Sequence, residues 1–327
     1  MSHFKKACRI QLRQAFLFAL LALPNLTNAQ EQQTPAIRVE VSRVNVGVIA
    51  TDRHGKFVEG LQKSDFHIFD NGIEQPIAGF LANDDPAQVV LMLECGPSVY
   101  LFGAANIQKA DALIANLSPA DRVAIVCYSS GANVQFELSD NKAEARLALR
   151  EINFYLGSGD LNLSRSLLDV FGWLRNVPGK KSVVLIGSGV DSAPPEFSAT
   201  YKNQILSSEV RVLAVSTSNL LTLTPKHRKR SKQQRESLEK LEPLLQAGED
   251  TLRNLATSTG GRVYLPKSTK DFERTYSEIA QIVRHEYNLA FAPQIADGKL
   301  HSLTVTANHA ARLDHRQAYL APASSAN

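Results

Sequence analysis

Four short runs in the middle of the chain are largely apolar on both faces of an extended backbone: residues 89–94, 122–128, 182–186 and 210–215. Such runs are typical of strands buried inside a parallel sheet. Segments with helical periodicity accompany them, at 104–116, 141–154, 163–176, 249–258 and 270–284. Strands that alternate with helices predict an α/β fold, in which a mostly parallel sheet is covered by helices on both faces.

The two ends of this α/β region have a different pattern, in which polar and apolar residues alternate as in half-buried strands. The alternation covers 38–48 and returns at 287–291. We therefore expect a small β subdomain in which a C-terminal β segment, 287–322, pairs with residues 37–80. The other expected boundaries are an N-terminal β segment at 30–86 and an α/β domain at 87–286, which includes a basic insertion at 217–248.

Residues 1–29 have the three parts of a secretory signal peptide. A basic start without acidic residues precedes a short apolar run at 15–23, and Thr27-Asn28-Ala29 supplies small residues for a cleavage site. The run is about half the ~20 residues that a membrane-spanning helix needs. We expect cleavage after Ala29, a secreted or periplasmic protein, and no transmembrane anchor after cleavage.

The net charge of +4 belongs to this leader. Without its four basic residues, the 36 Lys and Arg fall to 32, which equals the number of Asp and Glu. A balanced chain gives no electrostatic reason to expect binding to nucleic acid. Two cysteines remain, Cys95 and Cys127, near the ends of neighbouring predicted strands. They either form a disulfide or are two small buried side chains.

Several local patterns follow one another in a fixed order along the mature chain. They are Gly60-Leu61, Asp70-Asn71-Gly72, the strand and loop at 89–99, and Thr259-Gly260-Gly261-Arg262. In this order they resemble the VWFA-related domain proteins of the acidobacterial type, within the von Willebrand factor A superfamily. The resemblance implies an exported protein with a Rossmann-like fold. It also implies a metal-ion-dependent adhesion site (MIDAS) at the carboxyl edge of the sheet, where open α/β sheets bind ligands.

The first loop of the family's metal motif is only partly present. It normally has Asp-x-Ser-x-Ser, whose oxygens hold a divalent cation. This chain has Glu94, Gly96 and Ser98 at those positions. One ligand is therefore one carbon too long, one is missing and one is kept.

The second and third loops depart from the motif as well. The family has a Thr in the second loop, where Asp160 or Asn162 is the nearest oxygen donor in this chain. The third loop normally has Thr-Asp-Gly, but Ser188 replaces the aspartate, and Asp191 follows three residues later. The oxygen donors left for a cation are Glu94, Ser98, Asp160 and Asp191.

Such a donor set predicts a degenerate MIDAS. Hard cations need several charged oxygen ligands, so this set would hold Mg²⁺ or Ca²⁺ weakly. The favoured expectation is that no cofactor binds, and weak Mg²⁺ or Ca²⁺ binding is the alternative. If no cofactor binds, Ser98 caps the following helix, and Glu94 is solvated or bonded to loop amides.

Ser188 also lies between two glycines at a strand end, as the nucleophile of a hydrolase does. That motif is Gly-x-Ser-x-Gly, but the positions two before and two after Ser188 are Ile186 and Val190. Neither His285 nor His301 is part of a pattern that supports a catalytic base. We therefore expect no catalytic residues and no enzyme activity.

The segment from Lys226 to Lys232 has five cations in seven residues. A charge run of this kind is most often a solvated loop. The functional alternative is an electrostatic contact with an acidic partner, an anionic glycan or a lipid. Candidate partner-binding residues are Ser188 at the sheet edge and Lys226, Arg228, Lys229 and Arg230 in the basic segment.

Together these patterns predict an exported, non-enzymatic module that binds a protein or other macromolecule in adhesion or assembly. The alternative is a structural scaffold or assembly component. In that case the contact is made by the basic segment 226–232 or by the β subdomain.

Overall fold

In a computed structural model of the chain, the described residues are 43–82, 85–96, 107–152, 160–192, 197–219 and 232–323. The strands are β1 (Val44–Thr51), β2 (Phe66–Asp70), β3 (Ile73–Gln75), β4 (Ile77–Leu81), β5 (Ala87–Glu94), β6 (Arg122–Tyr128), β7 (Ala132–Ser139), β8 (Lys180–Gly187), β9 (Arg211–Ser216), β10 (Val263–Tyr264), β11 (Glu286–Phe291), β12 (Leu300–Ala307), β13 (Arg312–Asp314) and β14 (Ala318–Leu320). The helices are α1 (Asp111–Asn116), α2 (Lys142–Glu151), α3 (Leu163–Leu174), α4 (Phe197–Ser207), α5 (Lys232–Ser258) and α6 (Thr269–Arg284). The expected leader, 1–29, lies outside the described residues, and none of these helices is long and apolar enough to span a bilayer.

The apolar runs of the sequence form the middle of a six-stranded sheet. Its strand order is β10-β9-β8-β5-β6-β7, and neighbouring strands are parallel except that β7 is antiparallel to β6. Counted in chain order from β5, this is the 3-2-1-4-5-6 order of the Rossmann-like folds. The α/β class predicted from the sequence is confirmed: a mostly parallel sheet is covered by helices on both faces.

Helices cover both faces of this sheet, because alternate residues of each strand point to opposite sides. On one face, Leu91 and its odd-numbered neighbours pack against α1, α2 and α6. On the other, Met92 and its neighbours pack against α3, α4 and α5. Helix α6 begins where the Ser268 side chain accepts a hydrogen bond from the Asp271 backbone amide, a capping contact that satisfies one free N–H of the first turn.

The two chain ends meet in a separate pair of antiparallel sheets. One has the order β13-β1-β11-β4 and the other β14-β12-β2-β3. Strand β1 pairs with β11, so that Val44 lies opposite Phe291, and β2 pairs with β12. The two sheets enclose their own apolar core, in which Ile68, Tyr287 and Leu289 are fully buried.

A buried ion pair connects the α/β sheet to these β sheets. Nε of Arg211, at the start of β9, donates to Oε1 of Glu286 on β11 over 3.0 Å, and both side chains are 3% exposed. Gly47 on β1 lies against this pair, and a Cβ at that position would fall 1.9 Å from Glu286 Oε1. The glycine therefore leaves the space that the carboxylate occupies.

Two helices differ from the sequence-based expectation. Helix α4 is absent from the predictions, and α5 begins at Lys232 rather than at 249 and continues through Pro243. Proline removes a hydrogen-bond donor from a helix interior and normally ends the helix. Here the helix continues on both sides of it, with Leu245 and Leu252 buried beyond the proline.

Candidate functional site

The carboxyl ends of three parallel strands place the candidate site. Strand β5 lies between β6 and β8, and Glu94, the last residue of β5, is in register with Tyr128, the last residue of β6. Ser188 follows directly after β8. Because parallel strands end at the same edge of the sheet, the sheet topology brings these three side chains together.

Glu94 is the centre of this group, and its side chain is completely buried. Its Oε2 accepts hydrogen bonds from the backbone N–H of Ser188 at 2.6 Å and from the Ser188 hydroxyl at 2.7 Å. The Tyr128 hydroxyl donates to the same oxygen at 3.3 Å. The Glu94 side chain is therefore bonded to a loop amide and is not solvated, and it bridges three strands.

Tyr128 remains a proton donor in this site. Burial raises the pKa of its phenol well above the ordinary value, and the neighbouring Glu94 raises it further. A phenol that keeps its proton can donate to a carboxylate but cannot act as a base. Sequence reasoning missed this residue, although its position at the end of β6 was visible.

Two glycines allow the Glu94 side chain to lie where it does. A Cβ at Gly187 would fall 2.3 Å from the Tyr128 hydroxyl and 2.8 Å from Glu94 Oε2. A Cβ at Gly96 would fall 2.8 Å from Cδ2 of Leu161. Gly96 stands where the resembled family has a ligating serine, and Leu161 packs into the space that such a side chain would need.

The other candidate ligands point to different partners. Oδ2 of Asp191 accepts from the Ser164 backbone amide at 3.0 Å and from the Ser164 hydroxyl, so this carboxylate caps the start of α3. Asp160 is exposed to solvent. Ser98 lies outside the described residues. In the described part of the chain, no three His, Cys, Asp or Glu side chains are grouped so that they could hold a metal ion.

Helix α5 covers the loop that follows β8. A Cβ on Gly248 of α5 would fall 2.5 Å from the carbonyl oxygen of Ser188, and a Cβ on Gly189 would fall 2.2 Å from that of Gly248. The two backbones therefore approach closely. Ser188 is 1% exposed, so its hydroxyl lies beneath the surface and faces Glu94. The basic candidates, Lys226, Arg228, Lys229 and Arg230, lie outside the described residues.

Cys95 and Cys127 form a disulfide beside this site. Cys95 directly follows Glu94, Cys127 directly precedes Tyr128, and their Cα atoms are 5.5 Å apart. Of the two alternatives that the sequence left open, the structure has the covalent one. The bond links the ends of β5 and β6 at the position where the Glu94 and Tyr128 side chains meet.

No protein-family model and no curated protein sequence matches the chain. Among solved structures, an aerotolerance-related membrane protein from Bacteroides fragilis aligns over 61% of this chain and 98% of its own, at 12% identity and a TM-score of 0.45. A von Willebrand factor type A protein from Catenulispora acidiphila aligns over 81% and 76%, at 12% identity and a TM-score of 0.46. Proximal thread matrix protein 1 from the mussel byssus, with a zinc-occupied MIDAS motif, aligns over 65% and 49%, at 14% identity and a TM-score of 0.42. At these scores the likenesses carry no argument about function.

Proposed function

We propose that this chain, an α/β protein with the von Willebrand factor A fold, is an exported, non-enzymatic module that binds a protein or other macromolecule in adhesion or assembly. The observation that carries the proposal is the buried contact between Glu94 and Ser188. It lies at the sheet edge where the resembled family holds its cation. A hydrogen bond within the protein lies where the family's metal contact would be. This arrangement supports binding that does not need a cation.

The hydrogen bonds to one oxygen of Glu94 support the idea that an internal contact takes the place of a cation. Oε2 of Glu94 already accepts from two donors of Ser188 and from Tyr128. A cation at this oxygen would have to displace these donors, and it would find few charged oxygens nearby to complete its shell. Weak binding of Mg²⁺ or Ca²⁺ would require Asp191 to leave Ser164.

The same contacts argue against hydrolysis. The Ser188 residue is 1% exposed and its hydroxyl faces Glu94 inside the protein, whereas a nucleophile needs a path to substrate. His285 is bonded to the Gln281 carbonyl and to Glu59, and His301 to Asp70 and Asp297. Each histidine therefore has both ring nitrogens occupied elsewhere.

Thermal unfolding of the mature protein in millimolar Mg²⁺, Mn²⁺ or chelator tests the metal part of the proposal. A ligand present at ten times its Kd stabilises the folded state by about 1.4 kcal/mol. We expect the three conditions to give the same midpoint. A clear rise with either metal that is lost in the Glu94→Gln variant would overturn the metal-independent reading.

Partner capture from the exported fraction, with and without chelator, tests the binding part. We expect captured proteins to be the same in both conditions. A variant with glutamine at Lys226, Arg228, Lys229 and Arg230 then separates the preferred function from the scaffold alternative. A matched variant carries glutamine at the exposed residues Arg253, Lys267, Lys270 and Arg284. Loss of capture in the first variant alone would favour the scaffold that binds through its basic segment.

Export is tested on the full-length chain expressed with its leader. The expected product is a chain that begins at Gln30 and is recovered outside the cytoplasm. Intact-mass analysis of the cell fractions measures both properties. Recovery of uncleaved chain in the cytoplasm alone would contradict this part of the proposal.

A further inference from the structure

A cavity of about 290 Å³ lies at the opposite edge of the six-stranded sheet from Glu94. It forms where α3 ends, α4 ends, and strands β8 and β9 begin. Its principal lining residues are Phe171, Leu174, Arg175, Lys181, Gln204 and Glu209. The cavity is close to the lower end of the size range for small-molecule sites, about 300 Å³.

One wall of the cavity is apolar. Phe171 and Leu174 on α3 and Val210 before β9 belong to the buried core under this face of the sheet. The side chains of all three are held in place by their packing in this core. This wall suits an aromatic or branched hydrocarbon group, which would be removed from water on binding.

The lining of the cavity also includes two cations, Arg175 and Lys181, and one anion, Glu209. The Lys181 side chain is 8% exposed, and its Nζ lies 3.6 Å from Oε2 of Glu209. This distance is longer than a hydrogen bond, and within the described part of the chain Lys181 makes no side-chain hydrogen bond. An ammonium group has three N–H donors, and Lys181 lines the cavity. The Lys181 ammonium therefore has N–H groups to offer to a ligand in the cavity.

Arg175, at the end of α3, also lines the cavity and makes no ion pair with any described residue. The lining therefore carries one net positive charge: two cations, Arg175 and Lys181, against Glu209. A third cation lies behind the wall, where Arg316 donates to the carbonyl of Ser208 at 2.5 Å. Burial lowers the pKa of Arg316 to about 10, so it is still charged at neutral pH.

We propose that this cavity binds a small amphipathic anion, with an apolar body against Phe171 and Leu174 and one carboxylate, sulfonate or phosphate group between Lys181 and Arg175. The volume limits the ligand to a small molecule, and the excess of positive charge selects the anion. The site is independent of the sheet edge that carries Glu94, since it uses the amino ends of the strands.

A matched pair of fluorescent probes tests this site on the full mature chain. 1-Anilinonaphthalene-8-sulfonate has an apolar ring system and one anionic group, and N-phenyl-1-naphthylamine has the same rings without the charge. Trp173, the single tryptophan of the chain, lies on α3 beside the cavity and serves as the energy donor. We expect saturable binding of one sulfonate probe per chain, about tenfold tighter than the neutral probe.

Two variants and one control locate the binding. Arg175→Glu should weaken the sulfonate probe about tenfold, because it reverses one of the charges that hold the anion. Gln204→Phe, on the rim, should reduce binding of both probes by filling the cavity. Lys202→Glu makes the same charge change at an exposed position of α4 outside the lining, and it should leave both affinities unchanged.

Equal binding of the two probes would overturn the anionic selectivity. Equal weakening in Arg175→Glu and Lys202→Glu would overturn the location. Absence of saturable binding by either probe, in a chain whose unfolding transition is intact, would overturn the site as a whole. Circular dichroism of each variant establishes that it is folded.

Discussion

The hydroxyl of Ser188 donates to Oε2 of Glu94 over 2.7 Å and so ties the end of β8 to the end of β5. These residues stand at two positions where the resembled family has the acidic groups of its cation site. A longer acid on one strand and a short hydroxyl on the next meet directly, without an ion between them. In the function proposed above, this hydrogen bond lies where the resembled family has a metal bridge.

Glu94→Ala should destabilise the fold by about 3 kcal/mol, because it leaves two donors of Ser188 and the Tyr128 hydroxyl buried without their acceptor. Glu94→Gln keeps one oxygen and should cost about 1 kcal/mol. Urea unfolding measures both. Glu137→Ala, on the exposed face of β7, is the control, and an equal loss there would show that the effect is not specific to the buried contact.

Gly187→Ala should cost about 2 kcal/mol, because the new methyl group would overlap the Tyr128 hydroxyl and the Glu94 carboxylate. Gly172→Ala is the comparison in which the added methyl group meets no neighbouring atom. Gly172 lies inside α3 with nothing within 4 Å of its missing Cβ, so the alanine should stabilise the helix by about 1 kcal/mol. Changes of the same sign in the two variants, measured by thermal unfolding, would contradict the steric argument.

Arg211→Met should destabilise the protein by about 3 kcal/mol, since it leaves the Glu286 carboxylate buried without its charge partner. The double variant Arg211→Met/Glu286→Leu should recover part of this loss, because no lone charge remains inside. A double-mutant cycle in denaturant measures the coupling. Additive losses in the two single variants would mean that the pair is not coupled.

Removal of the disulfide in Cys95→Ala/Cys127→Ala should cost up to about 4 kcal/mol, the chain-entropy value for a crosslink with a sequence separation of 32. A reductant should lower the unfolding midpoint of the unchanged protein toward that of the variant. The variant itself should not respond to the reductant. If the reductant also leaves the unfolding midpoint of the unchanged protein where it is, the disulfide contributes little to stability.

Folding stability should fall as the pH drops below the ordinary histidine pKa of 6.5. Burial lowers the pKa of His315, with Arg211 lowering it further and Asp314 and the Arg316 carbonyl opposing the shift. The unfolded chain therefore binds more protons than the folded chain between the two pKa values, and stability there rises with pH. The contribution is complete above pH 6.5 and is lost toward the lower folded-state pKa, at up to about 1.4 kcal/mol per pH unit.

The His315→Gln variant measures this effect. It should flatten the slope of unfolding free energy against pH in that window, with a cost of about 1 kcal/mol at neutral pH from the lost hydrogen bond. His54→Gln, on an exposed turn, controls for the substitution itself. A slope in His315→Gln equal to that of the unchanged protein would contradict the assignment to this residue.

The central strands were predictable because a buried parallel strand has a composition that few other elements share. Strand β5, expected at 89–94, extends from Ala87 to Glu94. Helix α4 was not predictable in this way, because its eleven residues are mostly polar and carry no clear apolar stripe. Helix α5 was expected to start after Pro243, since a proline usually ends a helix.

The candidate site was predictable in its place but not in its contacts. The Rossmann-like order puts Glu94 and Ser188 at one edge, although they are 94 residues apart in the chain. Whether the longer acid would turn toward a cation, toward solvent or toward Ser188 depends on space left by Gly187. The packing of Leu161 against Gly96 likewise depends on tertiary distances that a single sequence does not contain.

The pairing of the two chain ends has a consequence for the order of folding. Strand β1 finds its neighbour only after β11 has been synthesised, and β2 only after β12. Until then, Val46 and Val48, which are fully buried in the finished sheet, are exposed on an unpaired strand. Contacts between such distant segments slow folding, since a long loop must close before they form. The β sheets should therefore be the last part of the molecule to become protected from hydrogen exchange during refolding.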